Sequence, residues 1–166
     1  MVHFTDLSPY GDGPELVATA HGYLRFTPGY VRLRVGWLGS TCSPGPVDRA
    51  FADALHEVVA HSARFNATRG FHRCRLCPQS AVPDVPAGTM GTPADTRANA
   101  EIRVPGRADT VFAAPTTIWH YVTAHGYVPP AEFQAAVLAL VASGGHHGTP
   151  DWIAAWIDAD AYRFPG

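Results

Sequence analysis

The sequence predicts an α+β fold, a small antiparallel sheet with three to four helices. Three observations carry this. Short stretches of alternating apolar and polar residues stand beside longer stretches with apolar residues at helical spacing. Hydrophobic residues make up 46% of 166 residues, enough to build a core without disulfides in one domain, 1–166. Two short segments also look like the halves of one metal site. Cys74 and Cys77 form a Cys-x2-Cys pair, and His120 and His125 form a His-x4-His pair. A tetrahedral Zn²⁺ takes four such ligands, so the fold is expected to be stapled by one zinc site.

The elements follow in order. Phe4 to Pro14 reads as irregular, broken by Pro9, Gly11, Gly13 and Pro14. Tyr30 to Leu38 alternates apolar and basic residues, the pattern of a half-buried strand. Ser43-Pro44-Gly45-Pro46 is a turn. Val47 to about Phe65 is an amphipathic helix, with Phe51, Leu55, Val58, Val59 and Ser62 on one face and Asp48 at its positive end. Pro78 to Asn99 is a loop, long for a compact domain, and reads as a mobile flap or a wrapped surface segment. Glu101–Val104 and Thr110–Ala113 flank a turn at 105–109 and form a hairpin. A helix starts near Pro115 and runs to His125, with Gly126 as its left-handed terminator. Another runs from Pro129-Pro130 to about Ala142. Gly144 to Gly148 reads as a flexible connector able to take up metal adventitiously. Pro150 to Asp160 is a short helix, sealed to the body by Trp152 and Trp156.

Composition excludes several classes. The net charge is -2, which argues against general nucleic-acid binding. All twelve basic residues are Arg, which with the many Ala, Gly and Pro suggests a GC-rich coding bias. No basic, apolar leader opens the chain, and no apolar run has the length of a membrane span, so a cytoplasmic location is expected. Three cysteines, two of them at metal spacing, favour metal binding over disulfides there. The sequon Asn66-Ala67-Thr68 carries no meaning without secretion.

The metal pattern has one awkward feature. On a regular helix, residues five apart point about 140° away from each other. Gly126 answers this, because a helix ending there can loosen its last turn and swing His125 back. Phe71 and Leu76 are expected to anchor the cysteine turn. His72 and Cys42 are the rival ligands. A thioredoxin-like pair would need its first Cys at a helix start, whereas Pro78 and a Pro-rich loop follow here. A haem-ligand reading of Cys77-Pro78 rests on a dipeptide alone. His56-Glu57-Val58-Val59-Ala60-His61 is one residue too long for a metalloprotease helix, and its histidines read as solvent-facing. Trp119, Tyr121 and Tyr127 read as packing around the His pair.

The Phe71 to Pro78 segment resembles the zinc knuckle of treble-clef and zinc-ribbon domains. The wider arrangement is Val35–Leu38, Gly70–Cys77, Glu101–Val104 and Ala114–Pro130. It is similar to an uncharacterised group of bacterial proteins, a resemblance that implies no activity. The chain departs from a treble clef in drawing its second ligand pair from the end of a helix 42 residues downstream.

The leading expectation is therefore a structural zinc domain acting through a protein partner or a small ligand. A zinc hydrolase with an open coordination position is the alternative, with Glu101 or His72 assisting proton transfer. Glu101 reads more simply as an exposed strand residue. A weaker alternative is a nucleic-acid module using Arg32, Arg34, Arg73 and Arg75.

Overall fold

A computed structural model describes residues 3–19, 22–78, 97–148, 151–154 and 162–164. It is α+β. Strands β1 (Glu15–Thr19), β2 (Gly22–Phe26) and β8 (Tyr162–Phe164) form one antiparallel sheet in the order β1-β2-β8. Strands β3 (Val31–Arg34), β6 (Glu101–Pro105) and β7 (Thr110–Pro115) form a second in the order β3-β7-β6. Phe65 bridges to Val17 on one side and to Glu101 on the other, so it ties the two sheets together.

The hairpin β6–β7 is present as its pattern predicts. The second sheet is not wholly antiparallel, because β3 runs parallel to β7. Its strand is also shorter than predicted and inverted in its exposure. Val31 is exposed and Arg32 is buried, because Arg32 has a carboxylate partner inside. The strand ends before Gly36, whose φ of 74° and contact with Ile118 leave no room for a side chain (a Cβ there would lie 2.9 Å from Cδ1).

Helix α1 (Arg49–His61) is capped by Asp48, whose side chain accepts from the Ala50 amide at 2.9 Å. It stops four residues short of the predicted Phe65. Ala63 leaves the helix to bond to Gly148, and Phe65 leaves to join the sheets. Helix α2 (Ile118–His125) starts three residues after Pro115, which closes β7 instead. Helix α3 (Ala131–Ala142) follows Pro130, and α4 (Asp151–Ala154) is short. The 79–96 part of the predicted loop, and Trp156 with the rest of 155–161, lie outside the described residues.

The main core lies between α1, α2, α3 and the β6–β7 hairpin. Phe51, Leu55, Ile102, Ile118, Phe133 and Val137 are all essentially inaccessible there. Each such side chain contributes about 1.5–3 kcal/mol through burial. A smaller core under β1 and β2 holds Val17, Phe26, Tyr30 and Phe65, with Trp152 against Tyr30. No helix among the described residues is long and apolar enough to cross a membrane.

Candidate metal centre

The cysteine pair follows a two-stranded ribbon, β4 (His72–Arg73) with β5 (Arg97–Ala98). After β4 the chain turns inward at Cys74, which is buried, and bends again through Arg75 to Cys77. Leu76 packs on the main core and anchors this bend. Phe71 does not, because it is exposed, with the Arg97 guanidinium over its ring.

The histidine pair sits on α2. Gly126 adopts φ 65°, and the amides of both Gly126 and Tyr127 converge on the Tyr121 carbonyl. That bond pattern reaches past the normal four-residue span, so the last turn is widened. The segment around Pro44 holds the turn in place. Gly45 N–H donates to the Gly126 carbonyl at 2.9 Å, and Pro44 bridges Tyr127. His125 is thereby carried around the axis to meet His120.

The two pairs meet. The ligand atoms of Cys74, Cys77, His120 and His125 all lie within 4.8 Å of one another. Cys74 Sγ is 3.3 Å from His125 Nε2, and Cys77 Sγ is 3.3 Å from both His120 Nε2 and His125 Nε2. The two Nε2 atoms are 3.1 Å apart. Around a tetrahedral ion with bonds of about 2.0–2.3 Å, neighbouring ligand atoms lie about 3.3–3.8 Å apart. The four groups are close enough to hold a metal ion.

The thiol and the imidazole shift in opposite directions. Burial, and then the neighbouring Cys74, push the Cys77 thiol up. Burial lowers His125, which favours the neutral imidazole, the form a metal binds. A bound cation reverses the penalty on the thiolates. Tyr121, packed beside them, is raised by its own burial, with a smaller push from the two cysteines.

The rivals lie elsewhere. Cys42 points its thiol at the His125 backbone carbonyl, 3.7 Å away. His72 is exposed on β4 and lines a cavity of about 240 Å³ with Tyr10, Trp37, Asn66, Thr68 and Glu101. Trp119 hydrogen-bonds the Ala52 carbonyl, and Tyr127 donates to Asp6 at 2.6 Å, so the aromatic residues around the His pair do pack as read.

Glu101 is not an exposed strand residue. It is buried, accepts from Tyr10 Oη at 2.6 Å and pairs with Arg103 at 2.6 Å. Arg103 in turn grips Glu15 with two bonds of 2.8 Å, and Arg32 meets the same carboxylate at 3.1 Å. Burial alone would lower Arg103, but Glu101 and then Glu15 outweigh it and hold its pKa up. Tyr10 is pushed up to about 12 by burial and by the Glu101 charge. Asn66 of the sequon also belongs here, donating to Glu15 at 3.0 Å. This network removes Arg32 from any basic surface. Arg34 is likewise occupied, bonding the carbonyls of Pro9 and Tyr10. Sequence reasoning missed the network. Its one signal was a charged residue, Glu15, opening an otherwise apolar stretch, Leu16-Val17-Ala18.

Residues 2–138 match the model of a family described as a domain of unknown function, DUF7919, and the chain belongs to that family. All four residues of the cluster lie within the matched span. No curated protein and no solved structure matches the chain.

Proposed function

We propose that the protein is a zinc-binding domain spanning residues 1–166, whose Zn²⁺ is held by Cys74, Cys77, His120 and His125 and serves the fold. The observation that carries this reading is the convergence of four donor atoms from two segments 42 residues apart, all within 4.8 Å of one another. Two sulfurs and two imidazole nitrogens suit zinc, and four protein ligands make a closed, structural set. Because the ligands are brought together only in the folded chain, binding energy becomes folding energy.

The working role proposed is recognition of a small molecule or a protein partner in the cytoplasm. The cavity beside Glu101 supports the small-molecule form. It has a wall of polar side chains and shares the β4–β5 ribbon with the cluster, since His72 lines it and Cys74 follows two residues later. Metal anchoring of the ribbon would then shape the pocket.

Purification without added metal, metal analysis, and chelation followed by circular dichroism test the zinc reading. About one tightly held equivalent, with loss of structure on stripping and recovery on zinc addition, is expected for a site of this kind. A metal-free chain that folds and melts unchanged would reject it.

A further inference from the structure

Three imidazoles meet at the end of α1. His61 closes that helix, and His146 and His147 lie in the turn after α3. This turn is built, not loose. Gly144 and Gly148 take left-handed φ values of 70° and 66°. Gly144 and Gly145 N–H groups bond back to Val141 and Leu140. The far end is stitched to α1. Gly148 N–H donates to the His61 carbonyl, Ala63 N–H donates to the Gly148 carbonyl, and Ser62 Oγ donates to the His146 carbonyl at 3.1 Å. The predicted flexible connector is thus anchored, with two histidines presented to a third.

One ring nitrogen from each of His61, His146 and His147 lies within 4.8 Å of the others. His61 Nδ1 is 3.1 Å from the Glu57 carbonyl and 3.2 Å from its carboxylate. A proton on Nδ1 satisfies these contacts and leaves the lone pair on Nε2, the arrangement by which carboxylates orient metal-bound histidines. His146 is only 6% exposed, yet its Nδ1 has no hydrogen-bond partner among the described residues. Buried polar atoms are paired as a rule, and a cation would complete this one.

We infer that His61, His146 and His147 form a second metal site for a divalent transition ion of the kind imidazole favours, such as Zn²⁺, Ni²⁺ or Cu²⁺. His61 and His147 are exposed, so the ion faces solvent and keeps a position open for water or a small ligand. No thiolate neutralises it, and it exchanges more readily than an ion at the cysteine cluster. His146 and His147 lie outside the 2–138 span that the family model matches, so this feature belongs to the chain's own C-terminal part.

Cobalt titration of the full chain tests this, because Co²⁺ on thiolates gives a sulfur charge-transfer band and Co²⁺ on imidazoles alone does not. The expected result is a second, band-silent equivalent that a mild chelator removes. His61→Ala and His147→Ala alter exposed side chains and should each abolish that equivalent while leaving the thiolate band intact. Glu57→Gln should weaken it by about 10–100-fold. Uptake of no second equivalent, or its persistence in the double variant His61→Ala/His147→Ala, would overturn the site. Absence of the thiolate band with loss of the silent equivalent in the variants would reject the cysteine site and leave this one standing.

Discussion

The Cys/His cluster and the Glu15–Arg103 network are both polar knots tied between distant segments, but they differ in what completes them. In the network, two carboxylates (Glu15, Glu101) face two guanidiniums (Arg32, Arg103), so 2 − 2 leaves no net charge. Tyr10 and Asn66 supply further donors. It is complete within the protein. In the cluster, two thiols and two imidazoles face one another, all four of them groups that donate electron pairs to a metal. Thiolates gathered at such a place are costly without a positive ion beside them. The first knot is complete without a ligand, whereas the second is a group of side chains close enough to hold a metal ion.

The comparison breaks first at the cysteines. Cys74→Ser with Cys77→Ser removes both thiolates. Binding energies of about 10–16 kcal/mol at such sites match or exceed typical domain stabilities. The double variant should therefore lose its cooperative melting transition, as seen by circular dichroism, and should not recover on zinc addition.

Arg103→Met attacks the other knot, leaving Glu15 and Glu101 short of countercharge. Breaking one side of a buried pair costs about 3–5 kcal/mol. Denaturant titration should show that loss, while the zinc content of the folded fraction stays at the wild-type value.

Tyr10→Phe is milder. It removes one bond to a buried carboxylate, a loss of about 1.5–3 kcal/mol. It also carries a pH signature. The folded phenol titrates at about 12 against 10.0 ordinarily, so its stabilisation is full below pH 10 and disappears as pH rises toward 12. The variant should lack that part of the alkaline decline in a stability–pH series.

Gly126→Ala should cost least, about 1–2 kcal/mol for an L-residue in the left-handed region. The added Cβ also comes 3.1 Å from Pro44 Cβ. Because Gly126 ends the widened turn that aims His125, zinc affinity in competition with a chromophoric chelator should fall as well. Equal affinity would show that the turn does not orient the ligand.

The cluster was legible in the sequence because each half is local. Two residues between thiols, and a glycine directly after His125, are visible along the chain. The hairpin and the helix α3 were legible for the same reason, as short-range patterns. The network was not, because Glu15 and Arg103 are 88 residues apart and nothing local marks them as partners. Arg32 and Arg34 therefore looked like one basic strand face, and Glu101 looked exposed. The parallel pairing of β3 with β7 was hidden likewise, since strand direction depends on a partner about 80 residues away. The His61–His146–His147 group was half legible, with the histidines visible and the stitching of their turn to α1 not.

X-ray absorption at the zinc edge, on protein purified without added metal, is the most direct test of the claim that the cluster holds zinc. The account predicts a four-coordinate ion with two sulfur neighbours at about 2.3 Å and two nitrogen neighbours at about 2.0–2.1 Å. A folded protein with no zinc signal, or a first shell without sulfur, would contradict it.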